Sequence, residues 1–152
     1  MLVSVIICTY SNRRIKDAVE AVDSVLKQTF KNIEVIVVVD NNHKLYKTLL
    51  EHYRREVGDR RVKILHNTGR RGLSASRNLG VENARGDIIA FMDDDAIADP
   101  TWIENLVKGY KDPNVIGVGG EVLPIWIAKP SQYLVPEFYW VIGVRYRGHP
   151  GR

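Results

Sequence analysis

The sequence has little of what would send a chain out of a cell, into a bilayer or onto a glycine-rich phosphate loop. Its single cysteine, Cys8, allows no intrachain disulfide, and a reducing compartment, the cytoplasm, is the expected location. No run of about 18 apolar residues occurs, so no transmembrane helix is expected. The opening MLVSVIICTY lacks the basic leader and cleavage site of a signal peptide and enters strand-like residues at once. Repeats, low-complexity tracts and charged tails are missing. So are the G-x-x-x-x-G-K-[ST] loop and the G-x-S-x-G elbow, and the Gly-x-Gly of GVGGEV opens no helix. The four histidines, His43, His52, His66 and His149, show no metal-ligand spacing.

What is present suits one soluble α/β domain. The 152 residues are 45% hydrophobic and 26% charged, with a net charge of +4. That mild basicity suits an anionic ligand but does not argue for nucleic acid or membrane. The basic cluster Arg54, Arg55, Arg60, Arg61 and Lys63 has no interleaved aromatics and reads as a solvated helix end, so no nucleic-acid partner is expected.

Apolar patterning predicts alternating strands and helices. VSVIIC (3–8), IEVIVVV (33–39), VKILH (62–66) and residues 88–92 read as strands, the second apolar nearly throughout, as is typical of strands covered on both faces of a parallel sheet. Residues 115–122, VIGVGGEV, read as a fifth strand weakened by glycine. Ile15, Ala18, Val19, Val22, Val25 and Leu26 share one helix face within 14–28. A second helix carries Leu45, Leu49, Tyr53 and Val57 and closes on Gly58; a third spans 73–85 with Gly86 as its cap. Asp99 and Pro100 mark the start of a fourth. The alternation implies helices flanking a mainly parallel sheet, with ligands beyond the carboxyl ends of the strands. The pattern dissolves after Leu123, which divides the chain into a core at 1–123 and an irregular, aromatic and proline-rich segment at 124–152. The architecture is expected to be incomplete at that end.

The fourth strand runs into Asp93, Asp94 and Asp95. Two like charges about 4 Å apart repel by roughly 4 kcal/mol at an effective dielectric of about 20. A divalent cation reverses that sign, and Mg²⁺ or Mn²⁺ commonly takes one or two carboxylates and fills its other positions with water and phosphate oxygens. In extended chain Asp93 and Asp95 would face one way and Asp94 the other. A solvated acidic turn is the plain alternative. The other strand ends carry Thr9 and Tyr10, Asp40, and Asn67: an aromatic that can stack, an acidic acceptor and an amide, as a nucleobase and ribose need.

The segments VSVIICTYSNRR, QTFKNIEVIVVVDNN, GLSASRNLGVENARGDIIAFMDDDAIADPTWIENL and VIGVGGEV resemble, in order and spacing, the motifs of family 2 glycosyltransferases. These are inverting enzymes of the GT-A fold that use nucleotide sugars. The resemblance implies that Thr9, Tyr10 and Asp40 line the base pocket, that Asn67 and Arg77 line the nucleotide site, and that Asp93 lies near the ribose. It further implies Asp94 toward the sugar or ribose, and Asp95, with Asp93, on Mn²⁺ or Mg²⁺. Arg70 and Arg71 suggest a basic loop over the phosphates.

Cys8 stands where the family often has proline, Val39 replaces the first of a frequent aspartate pair, and Asn41-Asn42 replace Gly-Ser. The family's general base is a carboxylate beyond the fifth strand. Only Glu121 and Glu137 follow Asp112 here, and neither fits. The chain therefore reads as the donor-binding half of a transferase using a nucleotide sugar, in the first instance a UDP-sugar. Its acceptor is left open among glycan, lipid carrier and protein. A lipid acceptor would put the protein at the inner face of a membrane. A second copy or a partner chain could cover the aromatic segment, and a silent nucleotide-sugar-binding module is the alternative function.

Overall fold

The computed structural model describes residues 1–126, 128–129, 133–135 and 139, with the side chains of 55–57 left aside. The chain divides into two compact units, Met1–Lys108 and Gly109–Arg152. The first carries a four-stranded, wholly parallel sheet: β1 (Val3–Thr9), β2 (Ile33–Asp40), β3 (Val62–Asn67) and β4 (Ile88–Asp93), in the spatial order β3-β2-β1-β4. The helices are α1 (Ile15–Leu26), α2 (His43–Glu51), α3 (Leu73–Glu82) and α4 (Trp102–Gly109). One tight turn, Asn12–Arg14, leads into α1, and a wider helical turn, His52–Val57, continues α2 until Gly58 stops it at φ +64°.

Strand order decides which face each helix covers. The steps β1 to β2 and β2 to β3 run one way along the sheet, whereas β3 to β4 runs back past β1. Right-handed crossovers then put α1 and α2 on one face and α3 on the other. Val3, Val5 and Ile7 of β1 and Val35, Val37 and Val39 of β2 pack with Val22 and Val25 of α1, Leu45 and Leu49 of α2, and Ile103 of α4. Ile6, Ile36 and Val38 point the other way, toward Leu79 of α3. Apolar residues at both parities explain why the strands read as unbroken hydrophobic runs. Deleting one such buried side chain, as in Ile36→Ala, costs about 2–5 kcal/mol.

Three expectations are corrected. Residues 115–122 form no strand, and Ile116 is 99% exposed. Strand preference is a preference for a paired, half-buried surface, and Gly117, Gly119 and Gly120 carry no side chain to pack there. Gly86 does not cap α3, which ends at Glu82 with Asn83 following. Its role is close approach: a Cβ there would lie 2.6 Å from both the backbone nitrogen and the Oγ of Ser4. The fourth helix starts two residues later than Pro100. Asp99 acts just ahead of it, its Oδ1 accepting from the Thr101 N–H (2.8 Å) and hydroxyl (2.7 Å).

The deeper anchor of α4 is Gln28. Fully buried, it accepts from the Ile103 N–H through Oε1 (2.9 Å) and donates through Nε2 to the carbonyl of Asp99. A side chain from the end of α1 thus satisfies a backbone donor at the start of a helix 75 residues on.

Candidate functional site

Reversal of the crossover direction puts a topological switch point between β1 and β4, where strand ends splay and leave room for a ligand. Register sets what lines it. Cys8 pairs with Asp93, Thr9 with Val39, and Asp40 with Asn67. The ends of all four strands therefore lie along one edge. Tyr10, 63% exposed, extends that edge from β1, and its carbonyl accepts from Asn42 Nδ2 (2.9 Å).

The acidic turn is organised differently from strict alternation. β4 ends at Asp93 and the chain turns at Asp94–Asp95. Arg14 then bridges two neighbours: its Nη1 lies 2.8 Å from Asp94 Oδ1 and 3.1 Å from Asp95 Oδ2. Asp93 goes instead to Arg77 Nη2 at 3.4 Å. The side chain of Asp94 is 6% exposed, against 69% for Asp93 and 51% for Asp95. Among the described residues the positive charge on the triplet comes from two arginines. The hydrogen bond to Asp94, with the nearby charges of Asp94 and Asp95, holds the Arg14 guanidinium above its ordinary range.

Arg14 was not singled out by the sequence reading. A signal was there: cations at a helix start oppose the macrodipole, and SNRR places two arginines just ahead of α1. Ser11 forms the turn that aims them, its Oγ accepting from Arg13 N and its carbonyl from Arg14 N. Arg77, on α3, has its guanidinium carbon 5.4 Å from the centre of the Phe91 ring, a cation–π contact that holds it along the sheet edge.

Asp40 and Asn67 do more than line the edge. Asp40 Oδ1 accepts from Asn67 Nδ2 (2.8 Å), and Oδ2 accepts from the backbone N–H of Gly72 (2.9 Å). Gly72 stands at the N-cap of α3, and Asp40, from the end of β2, takes up the free backbone N–H of that residue. Asn67, 6% exposed, also donates to the Arg70 carbonyl and Ser76 Oγ and accepts from Gly69 N. Together the pair holds loop 68–72, with Arg71 Nη2 3.3 Å from Asn41 Oδ1. Each Asp40 oxygen keeps a lone pair for a further donor.

Among the described residues, two buried oxygens at this edge have no hydrogen-bond partner, Thr9 Oγ1 and Asp94 Oδ2. Such groups cost stability unless something binds them. Burial pushes the Cys8 thiol up to about 11, so it is neutral at ordinary pH and no nucleophile.

Among the described residues no three His, Cys, Asp or Glu side chains converge as a complete metal cage. Asp93 and Asp95 are the two exposed carboxylates at the turn. Two oxygen donors with open positions suit Mg²⁺ or Mn²⁺ shared with a phosphate ligand, and not a self-sufficient protein site. Of the candidate bases, Glu121 is exposed within irregular 115–122, and Glu137 lies outside the described residues. Two members of the basic cluster are engaged within the fold: Arg61 Nη2 and Nε with the Asp59 carboxylate (2.7–3.2 Å), and Lys63 Nζ with Asn83 Oδ1 (3.0 Å).

The family model described as Glycosyl transferase family 2 matches residues 4–146. The chain belongs to that family. A glucosyl-dolichyl phosphate glucuronosyltransferase of Haloferax volcanii is 42% identical over 150 residues, 97% of this chain and 47% of that protein. An uncharacterized glycosyltransferase of Haemophilus influenzae is 36% identical over 143 residues, covering 91% of this chain and 43% of the relative. The chain thus spans less than half the length of these relatives. Among solved structures, a mannosyltransferase of Pyrobaculum calidifontis, in complex with GDP-Man and Mn²⁺, superposes with a TM-score of 0.66 at 26% identity. That match covers 74% of this chain and 33% of the mannosyltransferase. S. aureus TarS in complex with UDP-GlcNAc gives 0.60 at 26% identity, over 72% of this chain and 31% of TarS. The parallel sheet with helices on both faces is the architecture these glycosyltransferases share with it. Among the described residues no helix is long and apolar enough to cross a membrane.

Proposed function

We propose that this segment holds the nucleotide sugar of a family 2 glycosyltransferase at the β1–β4 switch point, and that the whole protein passes the sugar, with inversion, to an acceptor hydroxyl. The observation that carries the reading is the register. Asp93 lies beside Cys8 and Asp40 beside Asn67, so the acidic turn shares one edge with the residues suited to a nucleoside. Tyr10 stacks on the base, Asp40 accepts a hydrogen bond at its rim, and the Thr9 hydroxyl accepts or donates there. Asn67 keeps loop 68–72 in place, while Asp93 takes the ribose hydroxyls. Arg77 adds fixed positive charge toward the phosphates. Asp95, with Asp93, holds Mn²⁺ or Mg²⁺, which when bound supplies Lewis-acid neutralisation of the diphosphate leaving group.

The finer form of the reading takes a UDP-sugar as donor. Likeness to the Haloferax volcanii protein supports a glucuronosyl group and a dolichyl-phosphate-linked acceptor, which would bring the protein to a membrane surface. No described residue is assigned as the general base that removes the acceptor proton.

Calorimetric titration of the chain with UDP and GDP, each with and without Mn²⁺, tests this. Tight binding of UDP only in the presence of metal is the expected result. Binding indifferent to Mn²⁺ sinks the metal assignment, and preference for GDP sinks the choice of base. Metal-dependent UDP binding with no transfer, even with the full-length protein, favours a donor-binding module that works with a partner chain.

A further inference from the structure

The start of α1 places a cation where helix electrostatics disfavour one. Arg14 occupies the position just before α1, against the positive end of the macrodipole, and makes no capping bond there. Its guanidinium is repaid by reaching across 80 residues to Asp94 and on to Asp95. The two contacts differ in kind. Asp94 is more than nine-tenths buried, and its second oxygen has no partner. Asp95 is half exposed, and it is the carboxylate to which the donor-site reading gives the divalent cation. Arg14 itself is 41% exposed on a long flexible stem, free to let go of the outer carboxylate while keeping the inner one.

Resting on that reading, we infer that Arg14 is a built-in counter-ion that competes with the divalent cation for Asp95. A cation approaching Asp95 meets a guanidinium already bound and repelling it. The free chain therefore takes metal weakly. A nucleoside diphosphate changes the balance twice, by adding oxygen ligands for the metal and by offering the released guanidinium a new anion. Arg14 thus couples metal entry to donor entry and keeps the acidic turn neutralised in between. It is a positioning residue, acting on Asp95 and not on the reacting bond.

The sign of one measurement separates this role from simple scaffolding. A scaffold arginine, once removed, would loosen the turn and weaken metal binding. A competing arginine, once removed, strengthens it. Mn²⁺ is titrated into wild type, Arg14→Gln and Arg14→Lys, by electron paramagnetic resonance of the free ion, with and without UDP and in low salt. Circular dichroism checks that each variant is folded. Mn²⁺ alone is expected to bind Arg14→Gln about tenfold more tightly than wild type, and the extra affinity conferred by UDP is expected to shrink. Arg14→Lys keeps the charge on a stem one bond shorter, so that once on Asp94 it holds Asp95 less firmly, and it falls between, a few-fold tighter than wild type. This conservative variant carries the test should Arg14→Gln fail to fold. Equal or weaker Mn²⁺ binding by the folded variants overturns the inference while leaving the donor site standing. Absence of Mn²⁺ uptake by wild type even with UDP removes the metal assignment of the donor site and this inference with it.

Discussion

The same strands end in two different kinds of polar chemistry. Near the amino-terminal end of the sheet, Ser4 and Glu34 are cross-strand partners on the α3 face, and Glu34 is 4% exposed. Its carboxylate accepts from the Ser4 hydroxyl (2.6 Å), the Arg85 N–H (2.7 Å) and the Arg85 Nε and Nη2 (2.9 and 2.8 Å). Ser4 Oγ in turn accepts from Gly86 N (2.8 Å). Burial works against the charged Glu34, but these donors together outweigh it and hold the carboxyl below the usual glutamate range. At the carboxyl end, three aspartates share two partly exposed arginines, and two buried oxygens have no partner. A closed network rigidifies a fold. An open one stores interaction capacity for something still to come, which is how strained and under-satisfied groups mark functional edges.

The contrast predicts that stability and binding separate by strand end. The largest expected effect is Glu34→Ala, which removes a charged acceptor and leaves the Ser4 hydroxyl and Arg85 N–H unsatisfied. Urea unfolding should show a loss of about 3 kcal/mol, with nucleotide affinity unchanged in the fraction that stays folded. Asp95→Ala is the converse: metal-dependent UDP affinity should fall about 100-fold, with a melting temperature within about 2 °C of wild type. A large loss of stability in Asp95→Ala would erase the distinction between the two ends.

Gln28→Ala tests a buried cap remote from both. It should cost about 2 kcal/mol by leaving Ile103 N unsatisfied in the core, with no change in UDP binding. pH sharpens the comparison further. The Glu34 carboxyl is lowered in the fold, so its contribution is present above the unfolded-state value near 4.5 and is lost as pH falls through the folded value. Glu34→Gln should therefore flatten the acid limb of a stability–pH curve, read by fluorescence-monitored denaturation. The smallest expected effect is Thr9→Val. With no partner for Thr9 Oγ1, the change should be nearly neutral in stability and cost a few-fold in UDP affinity.

Much of the architecture could be read along the chain because it is written in local periodicity. β1 and β2 are apolar at both parities, α1 repeats its apolar face every three to four residues, and the acidic turn stands where β4 ends. The failures share one cause. At 115–122 the composition favoured a strand, but a strand exists only when another backbone pairs with it. For Asp94 and Asp95, alternation assumed extended chain, and a turn put both on the same guanidinium. Gly86 looked like a cap because glycine usually is one there, whereas Ser4, 82 residues away, is what it makes room for.

By itself the sequence determined which segments could be buried and which residue types would gather at strand ends, since burial and pitch act over a few neighbouring residues. It also held enough ordered motif to mark the family. Only the tertiary structure decided who meets whom across 32 to 80 residues: Gln28 with α4, Arg14 with the acidic turn, Asp40 with the start of α3, Glu34 with Arg85. Hydrogen bonds and ion pairs are short-ranged and directional. They exist only after the sheet has brought distant strand ends to within 3 Å or so of each other.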